Sequence, residues 1–87
     1  MSIEVKVLLF ASAREAAGNI SETSISLDEG ATTATFRRVM AEKYPGLSSL
    51  VLDEDSLTLA LNEEYIESEV VLKNGDTIAL IPPISGG

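Results

Sequence analysis

From Ile3 onward, apolar side chains fall on alternate positions: Ile3, Val5, Val7 and Leu9 on one side, with Glu4 and Lys6 beginning the other. That period of two predicts a strand over Ile3–Phe10. Leu8 and Phe10 then make the second side apolar as well. A strand that is polar-backed at its start and apolar on both sides at its end predicts a central place in a sheet, or an outer patch near Phe10 that something covers. Ala11–Ala17 is rich in alanine and is followed by Gly18, the pattern of a short helix with a glycine cap. Ser21–Leu27 sets Thr23, Ile25 and Leu27 against Glu22, Ser24 and Ser26, which predicts a half-buried strand paired with the first.

The period then changes. Phe36, Val39, Met40 and Tyr44 recur at helical spacing, and Thr32 or Thr33 can cap a helix that runs to about Tyr44. Arg37, Arg38 and Glu42 lie off that stripe and predict a solvent face. Pro45 and Gly46 stop the helix. Gly46–Leu52 reads as a helical turn or packed loop, and Asp53-Glu54-Asp55 as exposed loop. Leu57, Leu59 and Leu61 alternate with Thr58, Ala60 and Asn62 and predict a third strand. Glu63-Glu64 reads as a turn into a short strand at Tyr65-Ile66. Asn74-Gly75 is a strong turn signal, Thr77–Ile81 the last strand, and Pro82-Pro83 its stop. Several strands with one long helix predict an α+β fold: a mixed sheet packed on a single main helix, with the two most apolar strands, the first and the last, side by side at its centre.

Composition narrows the chemistry. The 87 residues have room for one core and little space for a deep pocket, and a hydrophobic fraction of 45% is enough to fold. Cys, His and Trp are absent, which excludes thiol nucleophiles, disulfide frameworks, imidazole bases and zinc fingers. Fourteen acidic against six basic residues give a formal charge of −8. That sign disfavours nucleic acid and anionic membrane surfaces, and favours a basic protein partner. The start Met1-Ser2-Ile3-Glu4 lacks a basic segment, and no apolar run approaches the roughly 20 residues of a membrane span. The expected location is the cytoplasm.

Asp53, Glu54 and Asp55 form one acidic cluster and Glu63, Glu64, Glu67 and Glu69 another. The first lacks the glycine and spaced oxygens of a calcium loop, and both read as solvated faces of an acidic protein, with no metal expected. Arg14 lies close after Phe10. An arginine beside exposed apolar residues is the composition of interface centres, although lone surface arginines are common. The sharpest feature is the ending Pro82-Pro83-Ile84-Ser85-Gly86-Gly87. Proline resists continuation of the sheet, and glycine has no Cβ to block a narrow channel. Six residues extend to about 20 Å. The expected division is a domain over 1–81 and an extended, flexible tail over 82–87 that threads into another protein's active site, with the Gly87 carboxylate as the working group.

The segment Phe10-Ala11-Ser12-Ala13-Arg14-Glu15, with Gly18 after it, and the ending Ile81-Pro82-Pro83-Ile84-Ser85-Gly86-Gly87 resemble the small subunits of molybdopterin synthase, the sulfur carriers of molybdenum-cofactor biosynthesis. The resemblance implies the ubiquitin-like β-grasp fold. It also implies that Gly87 is adenylated at the expense of ATP by an activating enzyme of the ubiquitin-activating type. Sulfur then displaces AMP to leave a thiocarboxylate. The large synthase subunit receives the tail and passes the sulfur to cyclic pyranopterin monophosphate, which forms the dithiolene of molybdopterin. On this reading the chain is no enzyme alone, binds no cofactor itself, and works in a complex of two small and two large subunits. By the same resemblance, Phe10, Arg14 and Ile81 meet the large subunit, with Leu8 and Ala79 as neighbours by strand parity. Two other readings share the Gly-Gly end: the sulfur carrier of thiamin synthesis, and a ubiquitin-like modifier that forms isopeptide bonds.

Overall fold

The computed structural model describes residues 1–53, 56–66 and 68–82. Expectations that fall on Glu54, Asp55, Glu67 and on 83–87 lie outside the described residues. The elements in chain order are β1 (Ser2–Leu9), α1 (Ala11–Ala16), β2 (Glu22–Asp28), α2 (Thr33–Lys43), a 3-10 turn (Pro45–Leu47), α3 (Ser48–Val51), β3 (Thr58–Leu61), β4 (Glu64–Ile66) and β5 (Thr77–Ile81).

The strands form one sheet in the order β2-β1-β5-β3-β4. β1 and β5 are neighbours and run parallel, while the other pairs are antiparallel. The two most apolar strands therefore do sit side by side, with β5 in the middle. Registry aligns the inward side chains across the sheet: Val7 with Ile78 and Leu9 with Leu80, then Leu80 with Leu59. Ile3 and Val5 face Leu27 and Ile25 on β2. Against this inner face packs the α2 stripe, in which Phe36 and Met40 are fully buried and Val39 and Tyr44 are half-buried. Each large side chain so removed from water contributes about 1.5–3 kcal/mol.

Three local expectations are corrected. β1 ends at Leu9, not Phe10, because Phe10 forms the N-terminal boundary of α1. Neither threonine caps α2 through its side chain. The Thr33 hydroxyl instead accepts from Val70 N (3.2 Å), and Thr33 N donates to Val70 O (3.0 Å), which stitches the helix start to the chain before β5. Arg37 is not a purely solvent-facing residue. Its Nη1 donates to Val51 O at 2.8 Å and closes off the C-terminal end of α3, while Arg38 is exposed as expected.

Gly46 explains how α1 is held. A Cβ on Gly46 would be driven into the carbonyl oxygen of Ala16, so the 3-10 turn approaches the last turn of α1 by backbone. Gly46→Ala is expected to destabilise the fold by about 1–3 kcal/mol, read from urea unfolding. Arg38→Ala is expected to stay within about 0.5 kcal/mol.

Candidate functional site

The outer face of the sheet carries a second registered row. Leu8 pairs with Ala79, Ala79 with Ala60, and Ala60 with Tyr65, a line across four strands. Phe10 and Ile81 lie beyond it at one end by strand parity, and Thr77 and Asn62 at the other. Two alanines at the centre of the row keep its floor low, and the larger side chains stand around them. The result is an open groove of about 570 Å3, lined by Leu8, Phe10, Ala60, Asn62, Glu63, Tyr65, Thr77, Ala79 and Ile81. Phe10 is 48% and Tyr65 73% exposed, so much aromatic surface here still faces water. An exposed apolar patch of this kind marks a contact surface for a protein, a membrane or a ligand.

Backbone geometry aims the two aromatic residues. Phe10 N donates to Leu80 O (3.2 Å), and the Phe10 carbonyl accepts from Ala13 N (3.0 Å) and Arg14 N (3.4 Å). Ala11 then adopts φ +50°, a left-handed conformation that costs a non-glycine residue about 1–2 kcal/mol. This bend turns the chain into α1 and leaves the Phe10 ring on the outer face. At the other wall, Leu61 pairs with Glu64, so the loop between β3 and β4 is two residues long. Its residues, Asn62 (φ +50°) and Glu63 (φ +74°), have the signs of a type I′ turn, in which glycine is the favoured second residue.

Asn62 fastens that turn to β5. Asn62 N donates to Thr77 O (2.8 Å), Thr77 N donates to Asn62 Oδ1 (2.9 Å), and Asn62 Nδ2 donates to Asp76 Oδ1 (3.0 Å). The side chain acts as one more rung of the ladder. Asp76 Oδ2 also accepts from Lys73 N (2.8 Å), and Asn74 Oδ1 accepts from Glu4 N (2.8 Å) across the Asn74-Gly75 turn, where Gly75 has φ +89°. The groove thus rests on β1, β5 and the hairpin as one hydrogen-bonded unit.

Of the residues expected at a partner surface, Leu8, Phe10, Ala79 and Ile81 all line this groove. Arg14 stands apart on α1, exposed and outside the lining set. Ala60, Tyr65, Asn62, Glu63 and Thr77 were not anticipated. The expected turn at Glu63-Glu64 is corrected to Asn62-Glu63; either turn leaves Tyr65 on the strand parity of Ala60, and the observed one moves its partner from Asn62 to Ala60. Pro82 is buried beside Ile81 where β5 ends, and the expected threading residues Pro83, Ile84, Ser85, Gly86 and Gly87 lie outside the described residues. Among the described residues no group of three or more Asp or Glu is placed to hold a metal ion, and no helix is long and apolar enough to cross a membrane.

The family model that matches this chain spans residues 7–87. The chain belongs to the ThiS family. The molybdopterin synthase sulfur carrier subunit of Arabidopsis thaliana is 40% identical over 86 residues, 99% of this chain and 85% of that protein. The solution structure of small archaeal modifier protein 1 from Methanosarcina acetivorans matches with a TM-score of 0.79 and 33% identity, over 100% of this chain and 99% of that one. A chain from the complex of subunits 1 and 2 of the molybdopterin-converting factor of Helicobacter pylori 26695 matches with a TM-score of 0.64 and 29% identity, over 98% of this chain and 100% of that one. The helix-backed mixed sheet is the ubiquitin-like β-grasp fold.

Asn62→Ala is expected to destabilise the ThiS-family fold by about 1–2 kcal/mol, from the lost side-chain hydrogen bonds and the loss of a residue that tolerates positive φ. Amide exchange at Thr77, followed by NMR, is expected to speed up in the same variant.

Proposed function

We propose that this chain is the sulfur carrier subunit of a molybdopterin synthase, docked by its outer sheet face on the large subunit and working through Gly87. The observation that carries the reading is the position of the groove. It runs along β5 from Thr77 to Ile81, and Ile81 is the last strand residue before Pro82, so a partner that covers Phe10 and Ile81 lies over the end of the last strand, from which Gly87 is six residues on. The Arabidopsis relative, named as a sulfur carrier subunit, and the Helicobacter pylori subunit 1 and 2 complex support it.

A terminal carboxylate is ionised near neutrality and is a poor electrophile. An activating enzyme of the ubiquitin-activating type therefore joins it to AMP from ATP, with release of pyrophosphate. A sulfur nucleophile displaces AMP and leaves a thiocarboxylate on Gly87. In the large subunit that sulfur bonds to a carbon of cyclic pyranopterin monophosphate, and water cleaves the acyl–sulfur bond to restore the carboxylate. Each carrier delivers one sulfur and a dithiolene holds two, so two deliveries are needed, in keeping with two small and two large subunits.

The chain by itself is not an enzyme on this reading, and ATP is bound by its activating partner. A chain with no cysteine has no side chain on which to hold a persulfide, which suits sulfur carried on a main-chain carbonyl. Leu8, Phe10, Ala79 and Ile81 form the apolar contact, and Arg14, exposed on α1 outside the groove, is a separate contact with the large subunit. Pro83, Ile84, Ser85 and Gly86 span the distance into the active site, with Pro82, buried at the end of β5, as their anchor, and the setting is the cytoplasm. A second reading, a protein modifier, is favoured by the full-length likeness to the archaeal modifier.

Intact mass spectrometry of the chain isolated with its activating enzyme is expected to show a gain of about 16 Da, oxygen replaced by sulfur at Gly87. Deleting Gly87 is expected to abolish dithiolene formation and leave the circular dichroism spectrum unchanged. Full activity of the truncated chain sinks the proposal, and a ladder of covalent conjugates in cell extract favours the modifier.

A further inference from the structure

We propose that Glu63 is a specificity residue of the docking face, its carboxylate meeting an arginine or lysine on the large subunit at the edge of the apolar groove. The inference rests on the docking reading above and names the chemistry that a partner must bring to it.

Three observations carry it. Glu63 lines the groove together with Leu8, Phe10, Tyr65, Ala79 and Ile81, so a protein that covers those residues also covers Glu63. Its backbone sits at φ +74°, in the turn position where glycine is favoured, and Asn62 bolts that turn to β5, so the side chain leaves a fixed base. Its charge is unspent: among the described residues Glu63 has no ion pair or hydrogen bond through its side chain. On the opposite flank, Glu22 stands in register with Leu8, and there Lys6 Nζ lies 3.3 Å from Glu22 Oε1. One side of the groove is neutralised from within, and the other is not.

Covering the groove strips water from the Glu63 carboxylate. A carboxylate desolvated against an apolar surface without a partner is strongly unfavourable, so a binding protein must supply a cation there. A protein that offers an apolar or acidic group at that point is rejected, which is how a charge at a rim confers selectivity. The net charge of −8 acts in the same direction at long range, since it draws basic surfaces toward the whole molecule. Glu64 separates the two effects. It is registered with Leu61, on the opposite strand parity from the groove row, and it is not among the lining residues.

Titration calorimetry with the large subunit, at low and at moderate salt, tests the assignment on the full chain. Glu63→Gln is expected to weaken binding by about threefold to tenfold at low salt, and to flatten the salt dependence relative to wild type. Glu63→Lys is expected to weaken it further, and Glu64→Gln, which removes the same formal charge, to bind as wild type does. Equal affinity and equal salt slope for wild type and Glu63→Gln overturn the inference and leave the docking reading intact. An equal loss in Glu63→Gln and Glu64→Gln also overturns it, since net charge alone then accounts for the effect. If wild type fails to bind the large subunit at all, the docking reading falls and this inference with it.

Discussion

The parallel pairing of β1 with β5 is the contact on which the rest of the structure depends. It joins segments some seventy residues apart, so the chain must close a long loop before the pairing is rewarded. The contact is locked at both ends. Asn74, Gly75 and Asp76 bond to Glu4 and Lys6 at one end, and Phe10 N reaches Leu80 O at the other. Once the two strands are in register, Val7, Leu9, Ile78 and Leu80 make the inner floor on which α2 packs. The same register puts Leu8 beside Ala79 on the outer face. One pairing therefore builds both the core and the candidate site.

The two faces answer different demands. The inner face is closed by α2, α3 and the 3-10 turn, and its large side chains are dry. On the outer face, Phe10 and Tyr65 remain open to water around a floor of alanines. A domain of this size has one helix layer to spend, and it covers one side of the sheet. An apolar outer row is then stable in solution only as a limited patch, and it gains most when a second protein buries it. Left-handed residues at Ala11 and Glu63 bracket that patch, each holding a conformation that glycine would adopt more readily. These two backbone conformations fix where the neighbouring side chains leave the chain.

A working group on the main chain suits such a body. On the proposed sulfur-carrier reading the reacting group is on the chain end, which suits a chain that has neither Cys nor His. On that reading the folded part provides a rigid handle and a recognisable face. The chain belongs to the ThiS family and is similar both to a protein named as a sulfur carrier subunit and to one named as a modifier, so one β-grasp body is shared by proteins named for different roles.

The alternation Ile3-Val5-Val7-Leu9, the helical stripe Phe36-Met40 and the turn signal Asn74-Gly75 were enough to define the strands, the main helix and the inner core, because period and turn chemistry are local properties of the chain. Strand parity also marked Leu8 and Phe10 as outward and apolar. The ending Pro82–Gly87 carried the resemblance and, through it, the expectation that the chemistry lies at Gly87, outside the described residues. Tertiary structure decided the rest. The place of the β3–β4 turn depended on Asn62 finding Thr77 and Asp76, and with it came the position of Tyr65 and Glu63. The role of Thr33 depended on Val70 arriving beside it, and that of Arg37 on the carbonyl of Val51. These are contacts between residues distant in sequence. A side chain that can bond in several ways takes the partner that folding brings, and nothing in its own neighbourhood specifies which one that is.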